Sequence, residues 1–164
     1  MKTALERLTW RSGAVVLVAV ALLLLTGQRA LAWQDERAQV VDAKDAIAAA
    51  TAEVEGLIDI SSATSVADMD KLLAGATAGF RTELEGQADR LQQALTANAV
   101  QASGDVVSAG LVKLAGDRAT VIVAAAGSVQ NKQTTAAEPR NYRLTVDLQR
   151  VKGDWLVSGL EFVA

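Results

Sequence analysis

Near residue 99 the spacing of apolar residues drops from three-or-four to two, which divides the chain into a helical part and a strand part. Before this point Val40, Ala43, Ile47, Ala50, Val54 and Leu57 recur at alternating steps of three and four, one apolar stripe on a helix from Asp35 to about Ile60. The stripe covers under three heptads and includes Ala43 and Ala50, so packing on the chain's own sheet is expected over a coiled-coil seam. Met69, Leu72, Leu73, Ala76, Phe80, Leu84, Leu91 and Leu95 mark a second helical region reaching residue 98. Gly75 and Gly79 weaken it by about 1 kcal/mol each relative to Ala and predict a break, with Thr77 capping the segment that follows.

After residue 99 the signals are those of strands. Val100 to Leu114 reads as one, with bulges expected at Gly104 and Gly110. Ala115-Gly116-Asp117 is a turn, and Arg118 to Val129 contains the β-branched run Thr120-Val121-Ile122-Val123. A polar loop from Gln130 to Glu138 precedes Arg140 to Val151, where Tyr142, Leu144, Val146 and Leu148 alternate with Arg143, Thr145, Asp147 and Gln149. Lys152-Gly153-Asp154 is a hairpin before a last strand, Trp155 to Val163. Four strands with short links pair antiparallel, because parallel pairing needs long crossovers. The expected class is α+β, with two to three helices packed on the Tyr142–Leu148 face of a four-stranded antiparallel sheet.

The N-terminus is a separate problem. Ala14 to Leu25 is twelve consecutive Ala, Val and Leu residues, preceded by Lys2, Arg7 and Arg11. The uncharged run from Gly13 to Gly27 rises only about 22 Å as a helix, short of a membrane core of about 30 Å. Trp10 and Trp33 bracket it at about 34 Å and suit the two interfaces, which fits a transmembrane anchor with Arg29 snorkelling. Ala30-Leu31-Ala32 is also a small-x-small pattern that fits signal-peptide cleavage, the alternative to the anchor. On either reading the basic flank stays inside and the remainder is exported. Of the 16 basic and 19 acidic residues, four and one precede Trp33, so the exported part has a net charge of −6. That disfavours nucleic acid as a partner and broad adhesion to anionic lipid.

The chain has no Cys and no His. Thiolate nucleophiles, Cys- or His-ligated metals, a Ser-His-Asp triad and imidazole acid–base chemistry are therefore excluded. No cofactor and no enzymatic activity are expected.

Four segments occur in order: Ala76-Thr77-Ala78-Gly79-Phe80-Arg81, Gly104-Asp105-Val106-Val107-Ser108-Ala109-Gly110-Leu111, Tyr142-Arg143-Leu144-Thr145-Val146-Asp147-Leu148, and Gly153-Asp154-Trp155-Leu156-Val157-Ser158-Gly159-Leu160-Glu161-Phe162-Val163. With one N-terminal span ending in Trp33-Gln34, the series resembles the Mce-associated membrane proteins of actinobacteria, single-span accessory proteins of mammalian-cell-entry (Mce) lipid transport systems. The resemblance implies an NTF2-like cone-shaped fold, plasma-membrane anchoring, Mce transporter components as partners, and an accessory role in lipid or sterol import. It carries over no catalytic residues, and Ala78 departs from a position where the family often has Gly. The expected division is a cytoplasmic N-terminus at 1–12, an anchor or signal peptide at 13–33, a membrane-proximal helix at 34–62 and an NTF2-like domain at 63–164, with 34–164 exported.

Within that domain Phe80, Tyr142, Trp155 and Phe162 could line an apolar pocket for a lipid, against ordinary core packing. An NTF2-like isomerase or dehydratase would need a buried acid–base pair. Asp105 and Asp147 are the only acids within strand interiors, and Asp147 falls on the face away from Tyr142. Asp68, Asp70, Glu83, Glu85 and Asp89 lack an oxygen-rich loop and read as a solvated helix face rather than a cation site. Arg140, Arg143 and Arg150 lack a Gly-rich loop for phosphate.

Overall fold

The computed structural model describes residues 37–61, 63, 64, 66–134 and 136–163. The expected cytoplasmic segment 1–12 and the anchor at 13–33 lie outside these residues. Among the described residues no helix is long and apolar enough to cross a membrane. The described residues from Asp42 onward form one compact unit.

The fold of Asp42–Ala164 is α+β. Residues 37–58 form helix α1; α2 is Val66–Ala74 and α3 is Ala78–Ala97. The strands β1 (Gln101–Ala115), β2 (Arg118–Gln130), β3 (Glu138–Val151) and β4 (Asp154–Phe162) form an antiparallel sheet in the order β1-β2-β3-β4. This is the expected meander. Gly116 takes φ +58° in the first turn. In the β3–β4 turn Lys152 and Gly153 take φ +55° and +102°, the two positive values that a type I′ hairpin requires.

The inner sheet face and α1 build the core. Ala119, Val121, Val123 and Ala125 of β2 and Leu144, Val146 and Leu148 of β3 are buried against Ala46, Ala50 and Val54. The alternation along β3 therefore points as expected. The helical stripe does so in part: Ala50 and Val54 are buried and Ile47 packs on the core, but Val40 is 54 % exposed, while Ala46, outside the expected stripe, is fully buried. The buried arc is rotated because alanines at positions 46 and 50 let the helix approach the sheet, where larger residues would hold it off.

That approach is closest at two facing glycines. Gly104 and Gly127 are cross-strand partners, Ile58 of α1 sits over Gly104, and a Cβ on either glycine would strike backbone. Asp59 Oδ1 then accepts the Gly104 N–H at 3.1 Å. The β1 bulges are not at the glycines. The register shifts fall between Val106 and Ser108 and between Leu111 and Lys113, so Val107 and Val112 are the extra residues. Gly104 serves close packing instead.

The break between α2 and α3 falls where Gly75 and Thr77 predict it. Thr77 occupies the N-cap position with extended backbone, but its side chain makes no capping bond. Its N–H instead donates to Val157 O at 2.8 Å, and Val157 N–H donates to Gly75 O at 2.8 Å, so this link pairs with the edge of β4. At the far end of α3, Ala99 takes φ +49° while Val100 N–H bonds Leu95 O and Ala99 N–H bonds Thr96 O, a Schellman ending.

Candidate functional site

The flank of the buried arc of α1 faces α2 and the start of β4, and there a polar group is buried. Glu53 is three residues beyond Ala50, within one helical turn and at the flank of the buried arc. It is only 7 % exposed. Its Oε2 lies where a Cβ of residue 75 would sit, so the glycine at 75 is what admits the carboxyl. Leu72 packs against Gly56 one turn further on, closing α2 onto α1. Burial in these surroundings pushes the Glu53 carboxyl up from 4.5 to about 7.

Trp155 enters the same place from β4. It is 7 % exposed, and its Nε1–H is buried without a hydrogen-bond partner. The guanidinium carbon of its cross-strand partner Arg150 lies 5.8 Å from the ring centroid, a cation–π distance. Arg150 Nη1 also bonds Asp42 Oδ2 of α1 at 2.9 Å, tying helix, strand and ring together. Glu53 and Trp155 line a cleft of about 660 Å³ with Ala52, Gly75, Lys71 and Asp59. A carboxyl poised near neutrality in a cleft can exchange a proton or hold a cation.

The four aromatic residues expected to share a pocket do not all meet. Seven residues of strand, about 23 Å, separate Trp155 from Phe162. Tyr142 and Phe162 pack tilted at 6.4 Å between ring centroids, and Phe162 is 63 % exposed. Phe80 packs against the core from the first turn of α3. Trp155 alone of the four lines the cleft with Glu53.

The charged candidates disperse too. Thr120 Oγ1 donates to Asp147 Oδ1 at 2.7 Å on the outer sheet face, and Asp105 is exposed. Asp70, Glu83, Glu85 and Asp89 are exposed, and among the described residues no group of three acidic side chains is placed to hold a metal ion. Arg140 pairs with Glu138 on the surface at 2.7 Å, apart from Arg150. Glu53 escaped the sequence reading because its neighbours Ala52, Val54 and Glu55 show no run that marks it. The signal was Gly75, a residue with no side chain beside a helix that needed room.

A stability test follows from the carboxyl. Its folded-state value lies above the unfolded one, so the folded chain holds the proton more tightly. Stability is unaffected by this group well below pH 4.5 and falls as pH rises to about 7, by roughly 3 kcal/mol in all. Glu53→Gln should remove that fall: the melting curves of variant and parent should converge near pH 4, with the variant melting higher at pH 8. Parallel curves across this range would mean that Glu53 is not desolvated.

Comparisons with known proteins bear on the whole chain. A family described as "Uncharacterized protein Rv1363c/MT1408-like" matches residues 9–164. The Mycobacterium tuberculosis (strain H37Rv) protein "Uncharacterized protein Rv1363c" is 26% identical over 157 residues, covering 92% of this chain and 60% of the relative. This chain thus spans about 60% of that relative's length. Among solved structures, an IcmL-like type IV secretion system protein from Legionella pneumophila is similar at TM-score 0.57 and 12% identity, covering 77% of this chain and 91% of its own. The intermembrane space region of chloroplast protein ARC6 gives TM-score 0.47 at 14% identity, covering 72% of this chain and 96% of its own.

Proposed function

The chain belongs to the Rv1363c/MT1408-like family, and we propose that it is a membrane-anchored, non-catalytic accessory protein of an Mce-type lipid or sterol import system. Its extracytoplasmic part, read as an NTF2-like cone, acts by docking on transporter components. The observation that carries this reading is an apolar surface on the first two strands. Val107, the bulged residue of β1, is 70 % exposed, and Val112 and Ile122 are exposed beside it. Ile122 pairs with Gly110, so no side chain from β1 covers it there, and it lies between Val107 and Val112, which are about 16 Å apart along β1. Exposed apolar groups gathered in this way favour a protein contact. The N-terminal apolar run and the resemblance to Mce-associated proteins support the anchor and the partner class.

The test is recovery of partners from detergent-solubilised membranes. The parent chain should retain Mce transporter subunits, and a variant with Val107, Val112 and Ile122 all changed to Lys should lose them by tenfold or more with an unchanged circular dichroism spectrum. Undiminished recovery by the variant, or none by the parent, would sink the proposal.

One observation favours a second reading, a lipid-binding module. Leu57, Leu84, Leu91, Ile60, Met69 and Leu72 line an apolar cleft of about 390 Å³ between the helices. On this reading, lipid should be extracted from the purified chain.

A further inference from the structure

The apolar cleft and the Glu53 cleft share Ile60, Met69 and Leu72 as a common wall. The lining of the Glu53 side is mostly of one sign: Glu53 and Glu55 from α1 and Asp59 just beyond it face one basic group, Lys71 from α2, while β4 contributes the neutral Trp155, over whose ring lies the Arg150 guanidinium already paired with Asp42. Lys71 is exposed, and among the described residues no basic side chain forms an ion pair with Glu53. We infer that this cleft binds an amphiphilic organic monocation, its ammonium against Glu53 and its apolar body along the Ile60–Met69–Leu72 wall. The inference extends the lipid-binding reading and does not need the docking one.

The chemistry selects among ligand classes. An anion would meet three carboxyl groups. A neutral alcohol offers the Glu53 carboxylate no counter-charge, so the group would keep its proton and the ligand would gain nothing as pH rises. A metal ion wants several converging ligands, and among the described residues no group of three acidic side chains supplies them. An ammonium needs one carboxylate, gains from an aromatic wall such as Trp155, and brings the apolar body that the adjoining cleft suits. As the ammonium enters, the proton held by Glu53 leaves to solvent, so binding must tighten as pH rises through neutrality.

The experiment uses the full chain in dodecyl maltoside micelles, labelled with nitrogen-15 at the Trp indoles. Hexylammonium, hexanol and hexanoate are titrated separately at pH 6 and pH 8. The Trp155 Nε1–H resonance, identified by its loss in W155F, should shift with hexylammonium and give a Kd roughly tenfold lower at pH 8 than at pH 6. E53Q should erase the pH dependence and weaken binding at pH 8 by about tenfold or more. Equal responses to the three probes, or E53Q binding like the parent, overturns the inference. A neutral lipid in the extract with no hexylammonium response also overturns it, while leaving the lipid-binding reading in place.

Discussion

Leu144→Asp should abolish the cooperative thermal transition. Leu144 is 1 % exposed in the middle of β3, between β2 and β4 and beneath α1. The change removes roughly 1.5–3 kcal/mol of apolar burial and adds a carboxyl with no partner in the core. An unpaired buried charge costs several kcal/mol more even after relaxation. The total approaches the whole stability of a domain this size, about 5–15 kcal/mol. Thr145→Asp, one residue along on the outer side of the same strand, is the control and should melt within a few degrees of the parent. If Leu144→Asp kept a native transition, the assignment of the inner face would be wrong.

Gly127→Val should destabilise the chain by about 3 kcal/mol, whereas Gly110→Val should be close to neutral. Both glycines lie in the sheet, and sequence alone does not distinguish them. A Cβ on Gly127 would collide with Ser103 O and press on the Gly104 Cα, both backbone atoms that no rotamer change can move. The strands would have to part, and Ile58 and the Asp59–Gly104 bond would shift with them. A Cβ on Gly110 meets nothing within 4 Å, and a β-branched residue there suits a strand. Chemical denaturation of the two variants would show the contrast; equal losses would mean that backbone freedom, not the close approach, sets the cost.

Much of the architecture was legible in the residues because its signals are local. The alternation of Leu144, Val146 and Leu148 with polar residues specifies a face, and Lys152-Gly153 specifies a turn. What sequence could not show depends on distance across the fold. The phase of α1 turns on how near Ala46 and Ala50 can come to β2 and β3, so Val40 was placed inwards when it faces out. The bulges fell at Val107 and Val112, while the facing pair Gly104 and Gly127 stays in register beneath Ile58. The aromatic residues looked like one pocket because they are rare, but Trp155 and Phe162 stand near opposite ends of one strand. Glu53 appears as a site only once Gly75 lies beside it.

The two outer strands have a consequence for how copies of this protein can coexist at high density. An unprotected edge strand recruits the edge of another molecule and seeds ordered aggregates. Here residues 75–77 already occupy the bonding groups of Val157 on β4. On β1, Asp59 takes the Gly104 N–H, two bulges break the ladder, and Lys113 stands exposed. Neither margin offers a long regular template. Crowding these molecules therefore brings together side-chain surfaces, which can be selective, rather than backbone edges, which accept almost any extended chain.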